Sequence, residues 1–240
     1  KEKERERERE KESVNSPSEI VRLPSYKVIF KSGDDLRQDQ LVMQMISLMD
    51  SLLKRVNLDL RLLTYSILAT GQRDGIMQFV SGSTPISLIL SQHGSILNFL
   101  RVHNADKSTS TGVTSRAMDT YIRSTAGYCV VTYILGIGDR HMDNIMLTTQ
   151  GQLFHIDFGY IFGNDPKPYP PPFRLTRQMV EAMGGGDGEL FERFKSYCCQ
   201  TFLWLRKSAN LILNLLKLMS DAGIPDLSDD PVTVLGKLEE

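Results

Sequence analysis

The sequence has few of the features that mark secreted, membrane-spanning or nucleic-acid-binding proteins. Its 240 residues contain three cysteines, and its formal net charge is −1. The adjacent pair Cys198 and Cys199 and the single remaining cysteine give neither a disulfide framework nor a metal-site spacing, which fits a reducing compartment. The balanced charge gives no indication of nucleic-acid binding. No apolar run approaches about 18 residues, so we predict no transmembrane helix, no signal peptide and only peripheral membrane contact.

A charged segment of low complexity begins the chain. Residues 1–12 alternate six basic with six acidic side chains, and residues 13–24 add two prolines. No apolar residue anchors the alternating part, so we predict that residues 1–24 form a disordered linker without chemistry, with a solvated helix as the alternative. At the other end, residues 222–240 are acidic, contain two prolines and are expected to fray.

The polar residues that stand out lie between Gly138 and Gly159. In this stretch two short apolar runs, 145–147 and 153–156, flank the polar turn 148–152. That arrangement predicts a small β-hairpin. Because the two runs would pair, the residues just before the first run and just after the second would lie side by side.

Those flanking residues carry the chemistry. Asn144 precedes the first run and Asp157 follows the second, and an amide and a carboxylate oxygen suit Mg²⁺. Asp139 or His141 could take or relay a proton from an attacking hydroxyl. Either half alone could be ordinary turn chemistry, but both halves separated by one hairpin favour phosphoryl transfer. Arg140 between them is expected to be structural, paired with a loop carboxylate.

Two motifs in this stretch carry a family resemblance. The order D-R-H at residues 139–141 and H-I-D-F-G at residues 155–159 resembles the phosphatidylinositol 3-/4-kinase and related-kinase superfamily. F-K-S-G-D-D-L-R-Q-D at residues 30–39 closely resembles the corresponding stretch of phosphatidylinositol 3-kinases. D-P-K-P-Y-P-P-P at residues 165–172 is similar to the class III, vacuolar-sorting branch of that family.

The resemblance implies an α+β, bilobal, protein-kinase-like fold. Its N-lobe would be a small antiparallel sheet and its C-lobe larger and mainly helical. We assign residues 25–80 to a partial N-lobe and residues 81–240 to a C-lobe shortened at its C-terminus. The family's strand hairpin over the ATP phosphates is not recognisable in residues 13–24.

The resemblance also assigns roles in nucleotide binding. Lys31 is expected to contact an ATP phosphate, with Asp35 near the nucleotide. The backbone of Gln78 and Val80 would bind the adenine edge, and Tyr65 would line the pocket. The implied cofactors are ATP with Mg²⁺, or Mn²⁺ in its place.

The loop after Asp157 is predicted to read the substrate. Between Asp157 and Phe173 the only basic residue is Lys167, whereas extra headgroup phosphates would need clustered Lys and Arg. The class III resemblance implies unphosphorylated phosphatidylinositol as substrate and phosphatidylinositol 3-phosphate, for endosomal trafficking and autophagy, as product. A proline-rich ligand for a partner module is the alternative for this loop.

The same resemblance implies a cytoplasmic enzyme, peripheral on endosomal, vacuolar or autophagic membranes. Its implied partners are a protein-kinase-like regulatory subunit and coiled-coil autophagy or endosomal subunits. Two other functional classes remain open. One is a Ser/Thr protein kinase of the related-kinase branch, which shares D-R-H-x-x-N and H-I-D-F-G. The other is a non-catalytic scaffold without the phosphate hairpin.

Local patterns predict the elements that surround these motifs. Asp35 is expected to N-cap a helix that extends to Leu53, with Gln38 at the capping-box position. The other predicted elements are strands at 26–31, 60–70 and 75–80, a break at 81–85, and helices at 117–135, 175–183 and 189–219.

Overall fold

A computed structural model describes residues 26–227, and within them the fold is α+β as expected. The strands form two three-stranded antiparallel sheets with the orders β1-β3-β2 and β4-β5-β6. The first sheet contains β1 Val28–Ser32, β2 Ile67–Ala69 and β3 Asp74–Gln78, and the second contains β4 Ser83–Pro85, β5 Ile145–Thr148 and β6 Leu153–His155.

Helices make up most of the remainder of the described chain. In order they are α1 Arg37–Arg55, α2 Ile86–His93, α3 Ile96–His103, α4 Ser115–Ile134, α5 Arg177–Glu181, α6 Glu189–Lys207 and α7 Ala209–Leu218, followed by 3₁₀ turns at Ser220–Ala222 and Pro225–Leu227. None of the helices described here is long and apolar enough to span a bilayer.

The long helix α4 is the centre of the core. It is buried on almost every side, as expected for a helix enclosed by other elements rather than lying on the surface. It packs against α6 and β6. At Gly127 a Cβ atom would lie 2.7 Å from Leu62 Cδ2 and 3.2 Å from Leu60 Cβ, so the glycine lets these two leucines pack closely on the helix. The predicted helix is confirmed, and its C-terminus leads directly into the D-R-H loop.

The predicted strand over residues 60–70 is wrong for most of its length. Only Ile67–Ala69 pairs, with β3. Leu60 and Leu62 are buried against α4 in a segment without regular secondary structure, in which Arg61 has a φ of 54°. Their apolar alternation therefore reflects side chains inserted into the core, not a sheet ladder. Residues 81–85, predicted as a break, instead include β4, which pairs with β5.

The start of α1 also differs from the expectation. Leu36, and not Asp35, is the N-cap residue, and the N-cap position has no side-chain cap hydrogen bond. Asp35 Oδ1 accepts the backbone N–H of Arg37 at 3.0 Å, and the Arg37 guanidinium binds the same carboxylate. Gln38 is buried and points away from the cap. Because Arg37 already binds the Asp35 carboxylate and Gln38 is turned into the core, these two side chains do not form the predicted capping box.

The long C-terminal helix predicted over residues 189–219 is two helices. It breaks at Ser208, which ends α6 and begins α7. Leu211 and Met219, which continue the apolar spacing of the first part of the segment, are 44% and 36% exposed. The non-helical backbone of Ser208, with φ −101° and ψ 11°, interrupts the helix, so a single helical period does not continue across it.

The chain around residue 222 is ordered where fraying was expected. Ile224 and Leu227 are buried, and Asp226 makes three hydrogen bonds to other segments. The predicted linker, residues 1–24, and the end of the chain from residue 228 lie outside the described residues.

Candidate active site

The central hairpin forms as predicted. Strands β5 and β6 pair with Ile145 opposite His155, and the Ile156 N–H donates to Asn144 O at 3.0 Å. This last bond extends the pairing beyond the strands. It places Asn144 and Asp157 at the same end of the hairpin, which is the arrangement that the sequence required.

The backbone at this end is held in an uncommon conformation. Asp139 and Asp157 have φ angles of 50° and 62°, in the left-handed region that few residues other than glycine adopt. Asp157 is exposed, whereas Asn144 is buried and donates from Nδ2 to Asp139 O at 3.1 Å. That bond fixes the amide, so its Oδ1 is the oxygen left for a ligand. Strained backbone of this kind clusters at functional sites.

His141 lies between two carboxylates. Its Nδ1 accepts the Asp143 backbone N–H at 3.2 Å, and its Nε2 is 3.9 Å from Asp139 Oδ2. Because Nδ1 is an acceptor in this bond, the proton of the neutral ring lies on Nε2. Asp143 is itself bound by the Ser87 hydroxyl, so α2 supports this loop.

Arg140 is structural, but it binds carbonyls and not the expected loop carboxylate. It is buried and donates to Gly138 O at 2.7 Å, to Ile156 O at 2.8 Å and to Asp157 O. Burial lowers the Arg140 pKa, and the charges of Asp157 and Asp139 oppose that shift. The side chain therefore joins the two ends of the site through their backbone.

Gly138 lets the loop after the hairpin pass close to the D-R-H loop. A Cβ atom at Gly138 would lie 2.0 Å from Asn164 O, so any residue other than glycine at this position would clash with the backbone of the second loop. Asp165 then bridges the two loops: its Oδ2 accepts the Asp139 N–H at 2.7 Å and its Oδ1 accepts the Lys167 N–H at 2.8 Å. Lys167 is thereby tied to the site through its backbone while its side chain is exposed.

His155, the last residue of β6, lies in the core and not in the exposed part of the site. It is fully enclosed and stacks on Tyr128 with ring centroids 5.1 Å apart. Burial lowers its pKa well below the usual value, so it stays neutral. Its Nδ1 has no hydrogen-bond partner within residues 26–227.

Asp39 is a site residue that the sequence analysis missed. It is buried, and its Oδ1 accepts the Phe158 N–H at 3.1 Å, next to Asp157. Burial raises the Asp39 pKa, and the charge of Lys31 opposes that shift while the charge of Asp157 adds to it. The signal for Asp39 lies in the R-Q-D end of the motif at residues 30–39.

Because the carboxylate of Asp39 is buried, we expect that replacing it with a neutral amide raises the thermal stability of the protein. Asp39→Asn keeps an oxygen for the Phe158 N–H but removes the cost of burying a charge. We expect the melting temperature to rise by about 2 to 4 °C, measured by calorimetry. Asp221→Asn, at an exposed position, should leave it unchanged. A fall in the Asp39→Asn melting temperature would show that the carboxylate stabilises the fold.

The two residues predicted near the nucleotide phosphates, Lys31 and Asp35, differ in whether they are free to bind a ligand. Lys31 is on β1, with its Nζ 3.6 Å from Asp34 Oδ2 and a side chain 31% exposed, so it can reach a ligand. The Arg37 guanidinium forms a bidentate interaction with the Asp35 carboxylate, and this hydrogen bonding lowers the Asp35 pKa. The structure thus leaves Lys31 available and gives Asp35 an internal partner.

The residues predicted around adenine lie near the end of β3, which is the central strand of the first sheet. The Gln78 N–H donates to Ser66 O at 2.8 Å, so a contact from Gln78 to a ligand would have to use its carbonyl. Val80 O accepts the Ser83 hydroxyl at 2.8 Å. Tyr65 is buried against Phe154, and burial raises its pKa. Its hydroxyl donates to His155 O at 3.4 Å, which makes it part of the core behind the site.

Comparison with known proteins identifies this arrangement. Residues 25–229 match the family described as phosphatidylinositol 3- and 4-kinase. The root isoform of phosphatidylinositol 3-kinase from Glycine max is 55% identical over 214 residues, covering 89% of this chain and 26% of the relative. Phosphatidylinositol 3-kinase VPS34 from Arabidopsis thaliana is 55% identical over 216 residues, covering 90% of this chain and 26% of the relative.

The similarity extends to fungi. Phosphatidylinositol 3-kinase VPS34 from Saccharomyces cerevisiae is 48% identical over 215 residues, covering 90% of this chain and 24% of the relative. The chain therefore spans about a quarter of the length of the curated relatives that it matches. The resemblance found in the sequence motifs is confirmed, and the chain belongs to the phosphatidylinositol 3- and 4-kinase family.

Proposed function

We propose that this chain is the catalytic part of a class III phosphatidylinositol 3-kinase, which transfers the γ-phosphoryl group of ATP to the inositol 3-hydroxyl of phosphatidylinositol. The observation that carries the proposal is the end of the hairpin, where the Ile156–Asn144 backbone bond places Asn144 and Asp157 at the same end as Asp139 and His141. Relatives named phosphatidylinositol 3-kinase support the choice of lipid substrate.

The donor set of the site fits Mg²⁺. Asn144 Oδ1 and the exposed Asp157 carboxylate are oxygen ligands, and Mg²⁺ in kinases takes one or two such ligands with phosphate oxygens completing the shell. Bound Mg²⁺ would neutralise charge on the transferred phosphoryl group.

The geometry supports different roles for the two proton-handling residues. Asp139 Oδ2 is an acceptor-only group and takes the proton of the attacking hydroxyl. In its neutral form His141 carries its proton on Nε2, because its Nδ1 accepts the Asp143 N–H. His141 therefore acts as a hydrogen-bond donor to the developing negative charge. Arg140 holds the two loops at a fixed separation through three carbonyls.

Nucleotide contacts follow from the residues left available. Lys31 binds an ATP phosphate from β1, and its charge also faces the buried Asp39. The adenine edge lies against the backbone of Gln78 and Val80 at the end of β3. Asp35 acts indirectly, by fixing Arg37 at the start of α1.

Substrate choice rests on the loop from Asp157 to Phe173. Lys167 is its single basic side chain, and it is exposed. A headgroup that carries only the phosphodiester needs no further cation, so phosphatidylinositol fits better than its phosphorylated forms. By the same likeness we place the protein peripherally on endosomal, vacuolar or autophagic membranes, with a protein-kinase-like regulatory subunit and coiled-coil subunits as partners.

A substrate panel tests the proposal. With ATP and Mg²⁺, we expect transfer to vesicles that contain phosphatidylinositol, at a rate at least about tenfold higher than to vesicles that contain phosphatidylinositol 4-phosphate or 4,5-bisphosphate. Thin-layer separation of radiolabelled lipids identifies the product. A Ser/Thr peptide is the matched alternative acceptor. Transfer to the peptide alone would favour the related protein-kinase class, and no metal-dependent nucleotide binding would favour a scaffold.

A further inference from the structure

A hydrogen-bonded cluster connects three distant segments next to the proposed metal site. Gln38 Nε2 donates to Phe158 O at 2.9 Å and to Asp226 Oδ2 at 3.2 Å. The same Asp226 oxygen accepts the Ile161 N–H at 3.0 Å, and the Asp226 N–H donates to Gln38 Oε1 at 3.4 Å. The Gln38–Asp226 cluster, defined by these four bonds, joins the start of α1, the loop after the hairpin and the last 3₁₀ turn.

The last 3₁₀ turn is anchored independently of this cluster. Ile224 and Leu227 are buried in the core on either side of Asp226. Arg37 donates from Nη1 and Nη2 to the carbonyls of residues 222 and 223, at 3.4 and 3.1 Å. The Asp226 carboxylate is therefore presented from a fixed segment, and the hydrogen bonds it makes act on the loop after the hairpin.

The backbone groups that the cluster holds are those directly following Asp157. Phe158 has both its polar backbone groups bound by adjacent residues of α1, because Asp39 accepts its N–H and Gln38 donates to its carbonyl. Asp157 itself has a φ of 62°, a conformation that persists only when the surrounding structure fixes it. Holding the next four residues supplies that constraint.

We propose that Gln38 and Asp226 are positioning residues, which set the orientation of the Asp157 carboxylate by fixing the backbone from Phe158 to Ile161. The inference rests on the proposed function, since it assigns Asp157 to the metal. Neither side chain contacts the reacting groups. Their effect reaches the reaction through the placement of Asp157, so turnover should depend on them more than ATP binding does.

Hydrogen exchange tests the backbone part without any need for catalysis. In Asp226→Ala, we expect the Ile161 amide to exchange at least about tenfold faster because it loses its acceptor, while the Phe158 amide, still bound by Asp39, should be accelerated less. Asp226→Asn should restore most of the protection, since its Oδ1 can accept from both Gln38 and Ile161. Asp221→Ala is the matched control, an exposed aspartate in the preceding turn, and should match the wild type.

Kinetics test the catalytic part on the same proteins. We expect Asp226→Ala to lower kcat about tenfold and to raise the Mg²⁺ concentration needed for half-maximal rate, with KM for ATP within about twofold. Asp226→Asn should recover most of the rate. Gln38→Glu, of nearly equal size, places a carboxylate against Phe158 O and Asp226, and should speed exchange at the same amides.

The outcomes separate this proposal from the proposed function. Unchanged exchange at residues 158–161 in both Asp226→Ala and Gln38→Glu would overturn the positioning role, even if the wild type is an active kinase. Faster exchange across the whole chain would also overturn it, since that is a loss of stability. A wild type without kinase activity would refute the proposed function. Amide hydrogen exchange at residues 158–161 would still show whether Gln38 and Asp226 fix the backbone there.

Discussion

Replacing the carboxylate of Asp157 is expected to lower kcat for phosphatidylinositol 3-phosphate formation by about 10³-fold or more. Transfer of a phosphoryl group depends mainly on electrostatic stabilisation and positioning, and Asp157 is the only carboxylate among the proposed metal ligands. Asp157→Ala removes it entirely. Rates would be measured on phosphatidylinositol vesicles across a range of Mg²⁺ concentrations.

The backbone at Asp157 makes the choice of variant important. Its φ of 62° is tolerated by Asn and Asp better than by Ala. Asp157→Asn therefore tests the charge with the conformation kept, and should lose nearly as much activity as Asp157→Ala. Asp187→Asn, in the exposed loop before α6, is the matched control. If either Asp157 variant kept wild-type turnover and Mg²⁺ dependence, the metal assignment would be refuted.

Asp139→Asn is expected to lower kcat by about 10² to 10⁴-fold, the usual contribution of a general base. An amide of the same shape cannot take the proton of the inositol hydroxyl. The loop should keep its structure, because the Asp139 backbone N–H still binds Asp165 and its carbonyl still binds Asn144. Initial rates at saturating ATP and lipid measure the loss.

Variants of His141 separate the two possible bases. If His141 acts as a donor through Nε2, His141→Gln should keep part of the rate because its amide also donates, whereas His141→Leu should not. If His141 is instead the base, the activities of the variants should follow a different pattern. High activity in Asp139→Asn, together with equal inactivity of His141→Gln and His141→Leu, would show that His141 is the base.

The hairpin shows why part of the site could be predicted. Its two strands are joined by a short polar turn, and Asn144 and Asp157 are fixed by the register of neighbouring residues. Short-range pairing of this kind follows from alternation and turn composition. The family motifs then supplied roles for Lys31, Asp139 and His141, which local patterns alone left open.

Predictions failed where a local pattern was satisfied by a distant partner. The alternation at Leu60 and Leu62 fits a strand, but these side chains fill the space beside α4. Gln38 fits a capping box, yet it is bound to Phe158 and Asp226 instead. In both cases packing against another segment outweighed the local preference.

By itself the sequence determined the hairpin, the polar residues at its end and the kinase family, because each depends on residues that are near in the chain or on contiguous motifs. Only the tertiary structure decided what holds Asp157 in place. Asp39 binds Phe158 from 119 residues away and Gln38 binds Asp226 from 188 residues away. Contacts at such separations have no period in the sequence, since they arise only when the core brings α1, the loop and the last turn together.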